Sequence, residues 1–125
     1  MPCDCELDLD RRWVRCRAWG AVTYDEAMAT RHKFTSDPNF APDFFQIYDA
    51  TQVTRLTFTA VEIGLLAKDR VFAPGARQAL VAPRSDTYGF GRTFQLYRQI
   101  NGGKEQIKLF RSVQDAEAWL SSPPS

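Results

Sequence analysis

The sequence has few of the features that mark a membrane protein, a metalloprotein or a nucleic-acid-binding protein. No stretch without a charged residue exceeds eight residues, at 118–125, which is too short for a transmembrane helix or for the apolar part of a signal peptide. The 16 basic and 15 acidic side chains leave a net charge of +1, so no overall field attracts nucleic acid or an acidic membrane. With no export signal, we expect a cytoplasmic protein.

Cysteine and histidine are also scarce. The three cysteines are Cys3, Cys5 and Cys16, and an odd number in a chain without a signal peptide predicts free thiols rather than disulfides. Cys3 and Cys5 could offer two soft ligands to a metal, but a zinc site usually needs four, and the only histidine, His32, is distant in the sequence. We therefore expect no metal and no cofactor. Since His32 has no evident nucleophile to serve, we expect no catalytic residue and no enzyme activity.

The residues that are present are typical of one ordinary globular domain. The 125 residues are 44% hydrophobic and 25% charged, which is enough to bury a single core without disulfide or metal staples. No repeat, linker or low-complexity segment divides the chain. We expect one domain over residues 1–125, with a core over about 6–120 and a polar tail over 121–125.

Hydrophobic periodicity predicts strands that alternate with helices. In the segment 12–19, Val14 and Cys16 alternate with arginine and tryptophan at the period of two that is typical of a strand. Thr23 and Thr59, each followed three residues later by glutamate, form capping boxes that begin helices. The predicted strands are 6–9, 12–19, 44–48, 78–82 and 105–111, with polar loops over 50–57 and 83–86. The predicted helices extend from Thr23 to about 35, from Thr59 to about 72, over 87–100, and from Ser112 to 120.

This order of elements predicts an α/β fold. We expect a mixed sheet of four or five strands, with an antiparallel hairpin at the N-terminus followed by alternating helices and parallel strands, because short alternating units of this kind build a mostly parallel sheet covered by helices. Five segments also carry a family resemblance: 45–49 (FQIYD), 57–62 (TFTAVE), 78–83 (QALVAP), 88–92 (YGFGR) and 110–120 (FRSVQDAEAWL). Over residues 8–120 or so, the chain resembles the bacterial SpoIIAA-like proteins of the STAS superfamily. The resemblance implies the STAS-like fold, no established catalytic activity, and relatives that bind partner proteins and are switched by phosphorylation.

The resemblance also directs attention to one junction between strand and helix. In anti-sigma-factor antagonists of this superfamily, the phosphoacceptor is a serine in an Asp-Ser-Ser-Gly motif at the start of the helix that follows the central strand. The corresponding segment here, 56–60, reads Leu-Thr-Phe-Thr-Ala and lacks every residue of that motif. Thr57 and Thr59 are the nearest hydroxyls and therefore the phosphoacceptor-equivalent positions. The alternative is that Thr59 only caps the helix.

A second candidate site lies in the loop after Ala82. The segment follows a predicted strand and opens a helix, where open α/β sheets bind ligands and free N–H groups attract anions. The side chains that could complete a site for a small anionic ligand are Arg84, Ser85, Thr87 and Arg92. The segment is neither a complete dinucleotide fingerprint nor a Walker sequence. The alternative is a solvated turn whose glycines allow close packing.

A third candidate site is the side of the second predicted strand that carries Trp13, Arg15 and Trp19. Tryptophan and arginine are enriched at interaction hot spots, so this side would suit a protein partner or a homodimer if it is exposed. Helices that cover it are the alternative. The arginines of the second half of the chain are typical of solvated helix faces, and we expect no nucleic-acid partner.

The sequence thus favours a non-enzymatic STAS-like regulatory or protein-interaction domain whose partner is unknown. The alternative is a carrier of a small molecule or a lipid, because the resemblance extends in fold to Sec14-type lipid carriers. A sizeable apolar cavity would favour the carrier, whereas a filled core with a flat apolar patch would favour the interaction domain.

Overall fold

The computed structural model describes residues 2–68 and 71–123. Within these ranges the chain forms five strands and four helices. The strands are β1 (Cys3–Asp8), β2 (Trp13–Val22), β3 (Phe45–Leu56), β4 (Arg77–Val81) and β5 (Gln106–Phe110). The helices are α1 (Tyr24–Thr35), α2 (Ala60–Lys68), α3 (Ser85–Ile100) and α4 (Val113–Ser121).

The strands form one mixed sheet in the order β1-β2-β3-β4-β5. β1 pairs with β2 in the antiparallel direction, and each later pair is parallel. A helix connects the two strands of every parallel pair. The predicted fold class, an α/β mixed sheet with an N-terminal antiparallel hairpin, is confirmed.

The sheet lies between two layers of helix. Val14 of β2 packs against Phe34 of α1, and Leu80 of β4 packs on the same face against the cluster formed by α2 and α3. Trp13, whose side chain points the other way, packs against Leu120 of α4. Three helices therefore cover one face of the sheet, and α4 covers part of the opposite face.

Two predicted helix boundaries are wrong. Helix α2 does not reach 72: its described part is Ala60–Lys68, residues 69–70 lie outside the described residues, and 71–72 are not helical. Helix α3 begins at Ser85 rather than at 87, so the second half of the predicted loop 83–86 is helical. The start of α1 is confirmed, because Thr23 and Glu26 form the expected capping box.

Strand β3 is much longer than predicted. The polar segment 50–57 is not a loop, because β3 continues to Leu56. The reason is pairing: β2 lies alongside β3 as far as the pair Val22–Leu56, whereas β4 pairs only with residues 46–49 of β3. The second half of β3 therefore has a neighbouring strand on one side only, and its polar side chains reach solvent.

The prediction of free thiols is wrong for two of the three cysteines. Cys5 and Cys16 are joined by a disulfide, and Cys3 is free and buried. The antiparallel register places Cys5 directly opposite Cys16, a juxtaposition that the number of cysteines and the expected compartment do not reveal. Because the Cys5 sulfur is bonded, it is not a thiolate ligand beside Cys3.

Candidate functional site

The sheet and the three helices on its more covered face form a cavity of about 120 Å³. Aromatic and aliphatic side chains form most of its wall, among them Phe34 of α1, Leu66 of α2, Phe90 and Phe94 of α3, and Val53 of β3. None of the lining residues is exposed. A largely apolar, concave wall of this kind is what binds small apolar molecules in proteins.

Gly91 fixes how closely α3 approaches the sheet beside this cavity. A Cβ atom at this position would lie 2.7 Å from Cδ2 of Leu109 in β5, closer than two carbon atoms can approach without one of them moving. Gly89, two residues earlier in the same helix, has no atom within 4 Å of such a Cβ. Close packing therefore explains Gly91 but not Gly89.

Two glutamines interrupt the apolar wall. Gln46 of β3 and Gln78 of β4 are register partners, and they are only 7% and 6% exposed. Gln78 Nε2 donates to Gln46 Oε1 over 2.8 Å, and Gln46 Nε2 donates to Cys16 Sγ over 3.5 Å. Burying an amide without a hydrogen bond costs about 1–3 kcal/mol, so this chain of bonds is what makes two glutamines tolerable here.

A second polar pair lines the same face. The Tyr48 hydroxyl donates to Cys3 Sγ over 3.8 Å. Burial, followed by the proximity of Cys3, raises the pKa of Tyr48 far above its usual range, and burial also raises the pKa of the Cys3 thiol. Both groups therefore stay protonated and neutral at physiological pH, so neither offers a thiolate or phenolate nucleophile.

Two arginines donate hydrogen bonds to carbonyl oxygens at the C-terminal end of α2. Arg31 of α1 donates to the carbonyl oxygen of Leu66 over 3.2 Å. Arg98 of α3 donates to the carbonyl oxygen of Ala67 over 2.6 Å and forms a buried ion pair with Glu105. The last carbonyls of a helix have no partner within the helix, so these arginines satisfy them and hold α2 against its neighbours.

Comparison with known proteins identifies the architecture. Neither a family model nor a curated protein sequence matches the chain. A solved structure does match it, that of an uncharacterised protein of the DUF3478 family from Shewanella loihica PV-4, described as having a SpoIIAA-like fold. The TM-score is 0.60 at 18% sequence identity, over 94% of this chain and 91% of the other. The chain has a SpoIIAA-like fold. At this identity the likeness shows the fold alone.

Within this SpoIIAA-like fold, the four residues of the predicted anion site differ in their exposure. Arg84 is exposed and forms an ion pair with Asp86 at 3.2 Å, and this guanidinium lowers the pKa of the Asp86 carboxyl. Ser85 and Arg92 are exposed. Thr87 is buried and lines the cavity instead. Because Asp86 already neutralises Arg84, an anion at this loop would have to compete with a carboxylate.

The two phosphoacceptor-equivalent threonines lie at the junction of β3 and α2. Thr59 and Glu62 form a capping box: the Glu62 N–H donates to Thr59 Oγ1 over 3.1 Å, and the Thr59 N–H donates to Glu62 Oε1 over 2.9 Å. Thr57 Oγ1 donates to the carbonyl oxygen of Val22 over 3.3 Å. Both threonines are exposed. The capping role of Thr59 is therefore observed, and its modification stays a prediction.

The predicted tryptophan face is divided by α4. Trp13 is only 5% exposed and lies in the core beneath α4. At this end of the strand, the alternative of a covering helix is therefore what the structure has. Arg15 donates to Glu117 of α4 over 2.7 Å. Trp19 is 38% exposed, with the Arg17 guanidinium 5.2 Å from its ring centre. Trp19 is therefore exposed, Arg15 is half-buried, and an interface on this face stays a prediction.

Two further titratable side chains, His32 and Asp49, lie apart from the cavity. His32 is exposed on α1, and Asp49 accepts bonds from the N–H and hydroxyl of Thr51 at 2.9 and 2.6 Å. Residues 2–68 and 71–123 contain no group of three or more side chains placed to hold a metal ion. No helix within those ranges is long and apolar enough to cross a bilayer.

Gln46 and Gln78 are the site residues that sequence reasoning missed. Gln46 is the only polar residue before Tyr48 in the apolar run 44–48, and Gln78 opens the apolar run 78–82. A polar residue inside an otherwise apolar predicted strand is the signal that could have found them, since such residues are rarely fully buried without a specific partner.

Proposed function

We propose that this chain is a non-enzymatic SpoIIAA-like domain that binds a small apolar molecule in the cavity between its sheet and helices α1, α2 and α3. The observation that carries the proposal is the cavity itself, about 120 Å³ with a largely apolar wall. Close-packed protein interiors rarely leave a void larger than a water molecule.

The volume limits the size of the ligand. An apolar cavity of about 150 Å³ accommodates benzene, so a cavity of about 120 Å³ suits a molecule of about one small ring. Pockets for larger ligands measure about 300–1,000 Å³. A small molecule is therefore favoured over a whole lipid as the cargo.

The chemistry of the wall supports binding rather than catalysis. Tyr48 of the wall is held neutral by burial, and His32 is exposed on α1 rather than among the cavity residues. A binding domain needs only shape and a few fixed polar groups, which this cavity provides.

A second candidate function is binding of a protein partner, and helices α2 and α3 favour it. These helices pack against each other, and their outer sides expose Val61 and Leu65 of α2 and Leu96 and Ile100 of α3. Exposed apolar side chains grouped on neighbouring elements are typical of interaction surfaces. The same two helices line the cavity through Leu66 and Phe94, so a ligand there would alter the layer that a partner contacts.

Regulation by phosphate at Thr59 fits this second candidate. A phosphate at the start of α2 would gain from the helix dipole, and Thr59 is exposed. High-coverage mass spectrometry of the protein from its own host tests the idea, and finding Thr57 and Thr59 unmodified across growth conditions would count against it.

The primary test is calorimetric titration with toluene, an apolar molecule of about the expected size. Ala50, half-buried on β3, lines the cavity, so we expect Ala50→Leu to fill part of the space and weaken toluene binding at least tenfold. Ala118 is exposed on α4, and Ala118→Leu is the matched control. Absence of toluene binding to the unmodified protein, together with native mass spectra that show no retained molecule, would contradict the proposal.

A further inference from the structure

Two side-chain amides of the cavity wall donate hydrogen bonds in sequence, and the oxygen of the first amide accepts none within the described part of the chain. Gln78 donates to Gln46, and Gln46 donates to Cys16. The side-chain oxygen of Gln78 accepts no hydrogen bond from any residue that the structure describes. No completely enclosed polar side-chain atom of the described ranges lacks a partner, so this oxygen borders open space. Because Gln78 is only 6% exposed and lines the cavity, that space is the cavity.

The three hydroxyl groups of the cavity wall, those of Thr30, Thr87 and Tyr48, already donate to other acceptors. The Thr87 hydroxyl already donates to the carbonyl oxygen of Arg84 over 3.1 Å, and the Tyr48 hydroxyl already donates to Cys3. Each can still accept a bond, but neither has a second proton to give. The Gln78 oxygen is therefore available to accept a hydrogen bond from a ligand in the cavity.

The neutral amides also indicate the kind of polar group that fits. Each glutamine N–H₂ has two protons, and each donates one in the bonds described. A hydroxyl can donate to the Gln78 oxygen and accept from a neighbouring amide N–H, whereas a carboxylate can only accept. A ligand with one hydroxyl on a small apolar body matches both the polar pair and the apolar wall.

We infer that the ligand of this cavity is a small uncharged hydroxyl compound of the simple phenol class, whose hydroxyl donates to Gln78 Oε1. This inference rests on the proposed function, since it names the class of molecule that the same cavity binds. Gln46 acts as a positioning residue, because its carbonyl oxygen holds the Gln78 amide in register over 2.8 Å.

The test compares phenol with toluene, which has the same shape and no hydroxyl. We expect calorimetric titration to show that the unmodified protein binds phenol at least as tightly as it binds toluene. Gln78→Leu should then weaken phenol relative to toluene by about tenfold, the worth of one buried hydrogen bond. Gln52, exposed on β3, provides the matched control: Gln52→Leu should leave the ratio of the two constants unchanged.

The outcomes separate the two proposals. If toluene still binds and Gln78→Leu leaves the ratio unchanged, the phenol inference is wrong and the apolar cavity remains a ligand site. Benzoate binding more tightly than phenol would also overturn the inference, because it would show recognition of a charge. If neither toluene nor phenol binds the unmodified protein, the proposed function fails and the inference fails with it.

A second measurement covers the case in which Gln78→Leu does not fold. In the unmodified protein labelled with ¹⁵N, phenol should shift the side-chain amide resonances of Gln78 more than toluene does. The amide resonances of exposed Gln52 serve as the internal reference. Equal shifts of Gln78 with the two compounds would overturn the inference.

Discussion

Cys5 and Cys16 lie directly opposite each other on β1 and β2, with their Cα atoms 4.1 Å apart and their sulfur atoms bonded. The bond joins residues separated by 11 positions, and closing a loop of this length stabilises a protein by about 3 kcal/mol in the chain-entropy account. We expect the double variant Cys5→Ser, Cys16→Ser to lose about that much free energy of unfolding, as measured by urea titration.

The control for this prediction is a dithiol reductant. It should destabilise the unmodified protein and leave the double variant unaffected. Equal stability of the unmodified protein with and without reductant would contradict the prediction. Because disulfides persist mainly in oxidising compartments, determination of the thiol state in the host also tests the expected cytoplasmic location.

The buried ion pair between Arg98 and Glu105 yields a second prediction. Both side chains are at most 5% exposed, and removing one partner from a buried pair leaves a charge without compensation. We expect Glu105→Gln to lower the free energy of unfolding by about 3 kcal/mol, measured by denaturant titration. Lys33→Ala, which removes an exposed pair with Asp4, should have no measurable effect, and a Glu105→Gln variant as stable as Lys33→Ala would refute this account.

Gly89 and Gly91 form a matched pair for a third prediction. Alanine at Gly89 meets open space, so it should stabilise α3 by about 0.5–1 kcal/mol through helix propensity. Alanine at Gly91 must displace Leu109, so we expect net destabilisation of about 1 kcal/mol. Thermal unfolding of the two variants measures the difference in sign. Equal stabilisation by both alanines would mean that α3 can move away from β5 at little cost.

The buried hydroxyl of Tyr48 yields a prediction about alkaline stability. Burial raises its pKa in the folded protein, so the folded state holds this proton more tightly than the unfolded state does. The resulting stability is complete below the ordinary tyrosine pKa of about 10 and is lost as the pH rises above it. We expect Tyr48→Phe to reduce the fall in stability above about pH 10, measured by urea titration at several pH values. An unchanged alkaline slope would show that other groups dominate it.

The features that the sequence predicts well are those encoded by neighbouring residues. The capping box of Thr23 and Glu26 lies within one turn, and the alternation around Val14 repeats every second residue, so both are visible in the sequence and both are observed. The SpoIIAA-like fold follows from the order of such elements together with the resemblance.

The features that escaped prediction depend on which strands become neighbours. The second half of β3 is too polar to read as a strand, and it exists because β2 extends alongside it as far as Leu56. The disulfide depends on the register of β1 against β2. The pair Gln46–Gln78 depends on the register of β3 against β4. The cavity lies between helices that are separated along the chain, so no pattern of neighbouring residues in the sequence predicts it.

The unequal lengths of the strands have a consequence for how a molecule could reach the interior. Beyond residue 49, β3 is bonded only to β2, and this two-stranded ribbon carries Val53 and Leu56 of the cavity wall. Local opening costs least free energy where backbone hydrogen bonds border solvent. The ribbon should therefore open transiently while the hydrogen bonds at the centre of the sheet stay formed. The amide protons of β3 beyond residue 49 should therefore exchange earlier than those of residues 45–49. The same local opening of the ribbon would let a small molecule enter the cavity.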